Sequence, residues 1–162
     1  MGYEIERKFL VSGEYKNNAY QHYRIKQGYL SQSNLNVVRV RILDQNAFLT
    51  IKSSTVQGTF THLEYEYEIP VVDAEQLLKL CESNIIDKTR YLIKSGDHIF
   101  EVDEFYGDNN GLVMAEIELR SEDEKFDKPN WIGLEVTGDE RYYNAYLSMH
   151  PFKEWNKSRQ MK

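Results

Sequence analysis

The feature that most constrains this chain is a period-2 alternation whose polar positions are charged, often with one sign along a whole segment. Residues 3–10 place Glu4, Glu6 and Lys8 on one face, 37–43 place Arg39 and Arg41, and 48–52 place Thr50 beside Lys52. Residues 62–69 carry Glu64, Glu66 and Glu68; 88–93 carry Lys88 and Arg90; 100–105 carry Glu101 and Asp103; 114–120 carry Glu116, Glu118 and Arg120. Apolar residues stand mostly opposite. A less regular eighth segment, 20–31, ends in Gln27, Gly28, Tyr29 and Leu30. Twelve tyrosines add to a β-favouring composition.

A charged strand face can simply meet solvent. Solvent faces, however, usually mix signs and include Ser, Thr, Asn and Gln, and like charges crowded on one face repel with no return. A barrel that holds a charged ligand in its lumen repays that repulsion. The face so defined sets Lys8, Arg39, Arg41, Lys52, Lys88 and Arg90 against Glu4, Glu6, Glu64, Glu66, Glu68, Glu101, Asp103, Glu116 and Glu118. A polyanion matches the cations, and a hard divalent ion with oxygen ligands matches the carboxylates. A polyphosphate chelated to Mg2+ or Mn2+ needs both groups at once. Carboxylates with no histidine among them favour those ions over Zn2+.

The 162 residues, 41% of them hydrophobic, suit one domain over 1–150, with a polar, loose tail over 151–162. A net charge of −6 argues against nucleic acid as partner. No apolar run reaches the roughly 18 residues of a membrane span. Charges occupy the place of a signal peptide's apolar stretch, so a cytoplasmic protein without membrane attachment is expected. The single cysteine, Cys81, excludes an intramolecular disulfide and reads as filler on an apolar helix face. His22, His62, His98 and His150 lack ligand spacing and read as surface or loop residues. Helices are few. Asp73 with Gln76 has capping-box spacing, Ser121 with Glu124 repeats it before Pro129, and 139–149 show helical spacing up to Pro151.

The stretch Tyr3-Glu4-Ile5-Glu6-Arg7-Lys8-Phe9-Leu10-Val11 resembles the E-x-E-x-K signature of the CYTH superfamily, the triphosphate tunnel metalloenzymes. The resemblance continues in order through Lys26-Gln27-Gly28-Tyr29-Leu30, Val38-Arg39-Val40-Arg41, Thr50-Ile51-Lys52, Glu64-Tyr65-Glu66, Lys88-Thr89-Arg90-Tyr91, Glu101-Val102-Asp103, Ala115-Glu116-Ile117-Glu118 and Glu135-Val136-Thr137. It implies an α+β fold dominated by a closed eight-stranded antiparallel β-barrel, a tunnel, with a few peripheral helices. It also implies that Glu4, Glu6, Glu116 and Glu118 bind the metal, and that Lys8, Arg39, Arg41, Lys52, Lys88 and Arg90 bind phosphate. In the family's small bacterial inorganic triphosphatases, residues matching Lys8 and Tyr29 are thought to assist proton transfer. Arg141 and Tyr142 open a segment that resembles the family's plug at one tunnel end, and Arg141 joins the phosphate-binding set. Relatives often read Arg-Tyr-Lys-Asn there, whereas this chain has Arg141-Tyr142-Tyr143-Asn144.

The expected reaction is metal-dependent hydrolysis of a small-molecule triphosphate, with inorganic tripolyphosphate favoured by the compact chain and by Tyr29 with Lys8. Glu64, Glu66 and Asp103 are the candidates for orienting the attacking water. Class IV adenylyl cyclases and thiamine triphosphatases share the scaffold and remain rivals. So does a non-catalytic polyphosphate or nucleotide binder, although pure anion binding would be easier without the carboxylates. A homodimer is left open.

Overall fold

The structure, a computed structural model, describes residues 5–33, 36–53 and 63–155, so Glu4 and His62 lie outside the described residues. All eight alternating segments overlap strands: β1 (Ile5–Val11), β2 (Ala19–Gln32), β3 (Asn36–Leu43), β4 (Asn46–Ser53), β5 (Glu64–Ile69), β6 (Ile86–Ser95), β7 (His98–Phe105) and β8 (Val113–Leu119). A ninth, β9 (Ile132–Glu135), carries too short an alternation to announce itself. All nine form one antiparallel sheet in the order β5-β4-β3-β2-β6-β7-β8-β1-β9.

This corrects the expectation of a closed eight-stranded barrel. Among the described residues there are nine strands, and no ladder joins β5 to β9. The ninth strand takes the free edge of β1 by pairing Phe9 with Glu135 and Val11 with Ile132, which leaves β5 and β9 as the edges. The sheet nonetheless curls. The segment around residue 145 touches β1 through Lys8, β2 through Gln32 and β6 through Lys88, although β1 and β2 are separated by three strands in the sheet order.

Apolar residues fill both sides of the sheet in separate clusters. On the side opposite the charges, Phe9, Phe100, Val102, Ala115 and Ile117 pack beneath Trp131 and Phe126. Helix α1 (Val71–Lys79) covers Val40 and Ala47 with Ala74. It starts two residues before Asp73 because Pro70 supplies the N-cap, leaving Asp73 in the first turn and Lys79 in the last, where each complements the helix dipole. Cys81 lies just beyond this helix, half-buried against Gly28, where an added Cβ would stand 2.7 Å from its Sγ. The third cluster plugs one end of the charged face: Ile86, Phe105, Leu112 and Met114 meet Tyr142 and Leu147.

Two expected helices are altered. Residues 121–124 form a turn, because Glu124 spends its carboxylate on the Arg120 amide and His98 while the Ser121 hydroxyl donates to Asp123. The helix expected over 139–149 is broken into a 3-10 turn, Glu140–Tyr142, an extended Tyr143, and α2 (Asn144–Met149). The tail is not wholly loose. Residues 152–155 make a helical turn that sets Trp155 edge-on to Tyr142 at 5.3 Å. Among the described residues no helix is long and apolar enough to cross a membrane.

Candidate active site

Register decides which charges meet. Across the sheet Lys8 lies opposite Glu116, Glu116 opposite Glu101, Arg90 opposite Asp103, Tyr29 opposite Arg39, Arg39 opposite Thr50 and Thr50 opposite Glu66. Because side chains alternate across a strand, these rows put the named side chains on one face.

The cations fall into two kinds. Lys88 and Arg90 are committed to an acid. Lys88 Nζ is 2.8 Å from Asp103 Oδ2, and Arg90 grips the same carboxylate with Nε at 2.8 Å and a second nitrogen at 3.0 Å. Burial alone would raise the Asp103 pKa, but the charges of Lys88 and Arg90 override it and hold the carboxyl far below the ordinary range. Burial lowers Lys88 to about 8 against the pull of Asp103, so the pair is charged at neutral pH.

Among the described residues Arg39 and Arg41 form no ion pair with a carboxylate. Arg41 Nε donates to Gln27 Oε1 at 3.0 Å, and burial, followed by the neighbouring Arg39 and Arg90, lowers its pKa to about 10. Arg39 Nε is buried and finds no acceptor among the described residues. Tyr29 is buried between them. Burial raises its pKa against the opposing charges of Arg39 and Arg41, so its hydroxyl keeps its proton at neutral pH.

At the other end of the face the carboxylates crowd. The nearby Glu116 carboxyl, with which Glu6 can share a proton, burial and the charges of Glu116 and Glu118 raise the Glu6 pKa to about 7, with Lys8 opposing. A cavity of about 750 Å³ opens there, lined by Glu101, Glu116, Glu118 and Arg120 together with Leu92 and Ile99. Among the described residues no three His, Cys, Asp or Glu side chains are already gathered to hold an ion.

The structure does not bring all the expected residues together. Lys8 and Tyr29 stand on different strands without touching; Lys8 meets Glu116, the Tyr142 carbonyl and the Tyr143 ring. Arg141 turns from the charged face to Asp139, at 2.6 Å, and stacks on Tyr142 and Trp155. Asp103 spends both oxygens on Lys88 and Arg90, whereas among the described residues Glu66 accepts only from Thr50, at 3.0 Å, and Glu64 faces Lys52 at 3.9 Å. Three uncharged partners went unpredicted: Gln27 on Arg41, Asn144 on Lys88 and Tyr143 on Lys8. Their one sequence signal was their place inside the motif stretches.

A charged face on a curled antiparallel sheet, plugged at one end by a broken helix, defines a tunnel-type site for a polyanion. The CYTH domain family matches residues 2–143, and the chain belongs to that family. It is 46% identical over 156 residues to an inorganic triphosphatase of Acetivibrio thermocellus, covering 96% of this chain and 99% of the relative. It is 37% identical over 150 residues to an inorganic triphosphatase of Nitrosomonas europaea, covering 90% and 97%. The crystal structure of the inorganic triphosphatase NE1496 superposes with a TM-score of 0.76 at 36% identity, over 92% of this chain and 96% of that one.

Proposed function

We propose that this protein hydrolyses triphosphates on its charged face, with inorganic tripolyphosphate as substrate and a divalent cation, Mg2+ or Mn2+, as cofactor. The observation that carries the reading is the coexistence of two half-buried arginines that make no ion pair among the described residues, Arg39 and Arg41, with a crowded carboxylate cluster farther along the same face. A phosphate chain supplies what the arginines lack, and a cation relieves what the carboxylates suffer. The two relatives named inorganic triphosphatases favour the inorganic substrate.

The donor chemistry fits a hard cation: Glu6, Glu116 and Glu118 offer only oxygen, and the raised pKa of Glu6 reports carboxylates pressed together. These three, with Glu4, would hold the ion. Bound there, the ion would neutralise phosphate oxygens and favour transfer to water. Lys8, Arg39, Arg41, Lys52, Lys88 and Arg90 bind the phosphates. The Tyr29 hydroxyl, still protonated beside Arg39 and Arg41, donates to a phosphate oxygen, and Lys8 serves the leaving group from its own strand. Glu64 or Glu66, which no short ion pair occupies, orients the attacking water.

The test is a substrate panel of tripolyphosphate, ATP and thiamine triphosphate with Mg2+ and with Mn2+, scoring phosphate, diphosphate and cyclic AMP. Release of phosphate from tripolyphosphate, abolished in Glu6→Gln, is the expected result. Cyclic AMP as main product, or thiamine triphosphate as the preferred substrate, would transfer the assignment to the corresponding rival. Binding of tripolyphosphate without turnover under any condition would make the protein a binding module.

A further inference from the structure

The break between the 3-10 turn and α2 places three consecutive residues on two lysines of the charged face. The Tyr142 carbonyl accepts from Lys8 Nζ at 3.3 Å, and Asn144 Oδ1 accepts from Lys88 Nζ at 3.2 Å. Between them Tyr143 is extended, with φ −80° and ψ 142°, and its ring lies 4.8 Å from Lys8 Nζ. Lys8 is also drawn toward Glu116, whose carboxylate stands 3.8 Å away, with Lys8 only 12% exposed. A tight ion pair with Glu116 would neutralise a cation and a carboxylate that the proposed chemistry needs separately. A ring face and a carbonyl attract an ammonium without cancelling its charge.

We propose that Tyr143 is a positioning residue for Lys8. Its ring holds the ammonium toward the plug and short of a tighter ion pair with Glu116, so that its charge remains available to the phosphate at that end of a bound triphosphate. This rests on the triphosphate reading above. The hydroxyl has no part in it; the aromatic face does.

Tyr143 is 44% exposed, so its replacement leaves the core intact. Calorimetric titration of the metal-free protein with tripolyphosphate compares Tyr143→Phe, which keeps the ring, with Tyr143→Leu, which removes it. Tyr143→Phe should match wild type, and Tyr143→Leu should bind about threefold more weakly, the fold-change carried by a partly exposed cation–π contact. In a Lys8→Met background the leucine substitution should cost nothing further. Wild-type affinity in Tyr143→Leu, or an equal loss in the Lys8→Met background, overturns the proposal. If wild type binds no tripolyphosphate, the triphosphate reading fails instead, and NMR decides this inference alone. Lys8 ε-methylene resonances should be ring-current shifted in wild type and in Tyr143→Phe and return to ordinary lysine positions in Tyr143→Leu. Unshifted wild-type resonances overturn the proposal.

Discussion

Arg39 and Asp103 show at residue scale how differently two charges on one face are treated. The Arg39 guanidinium is held with its Nε buried and without an acceptor among the described residues, beside a second arginine. Such a group costs stability when the face is empty and contributes affinity when it is filled. Arg39→Met should therefore preserve or raise apo thermal stability while weakening tripolyphosphate binding about tenfold or more, since a charged hydrogen bond contributes about 1.5–3 kcal/mol. A melting curve beside a binding isotherm checks both halves. Asp103 is the reverse case, a carboxylate that joins two cations, one of them Lys88 with a fully buried side chain. Asp103→Asn should cost about 3–5 kcal/mol, because it leaves buried positive charge uncompensated. The folded-state pKa of Asp103 lies below its ordinary 3.8, so its contribution is present above that pH and is lost as pH falls toward the lower folded value. Denaturant titrations between neutral pH and pH 3 should show this acid loss in wild type and a smaller one in Asp103→Asn.

At the scale of elements, the plug depends on residues beyond its helix. Tyr142 is buried in the plug-end cluster, and Trp155 contacts Tyr142, Tyr146 and Phe152 while its Nε1 donates to the His150 carbonyl at 3.0 Å. The turn at 152–155 is tied down by the Phe152 amide, which donates to Asn109 Oδ1 at 2.8 Å. Trp155→Ala should lower unfolding free energy by about 2 kcal/mol, as expected for several aromatic pairs at about 0.5–1.5 kcal/mol each. It should also weaken triphosphate binding without removing any charged residue, because Tyr142 and Tyr143 hold Lys8 from the plug. Equilibrium unfolding and calorimetry on one preparation test the two effects together.

For the whole molecule, the charged face is a reservoir of repulsion that a ligand discharges. Ligands that bind the native state stabilise by mass action, about 2.7 kcal/mol at a hundredfold excess over the dissociation constant. For a chain of 162 residues this corresponds to a rise in Tm of roughly 5–10 °C. Thermal melts with tripolyphosphate should show that rise, with a smaller one for a monovalent anion at equal ionic strength. Equal shifts for the two would mean simple screening and not a site.

The sequence by itself determined eight of the nine strands, the face each charge occupies and the sign of each row, because side-chain alternation is a steric property of each strand alone. Helix ends were legible only where the local chemistry acted unopposed: Pro70 displaced the start expected from Asp73, and the side-chain bonds of Glu124 replaced a helix with a turn. The tertiary structure decided the rest. That β9 joins β1 and leaves two edges open follows from packing and chain closure, which no local period records. That Asp103 takes two cations while Arg39 Nε finds no acceptor among the described residues, and that Lys8 meets the Tyr143 ring as well as Glu116, depends on which strands and turns become neighbours. Charge is written in the residue, but its availability to a ligand is set by the partners that the fold brings beside it.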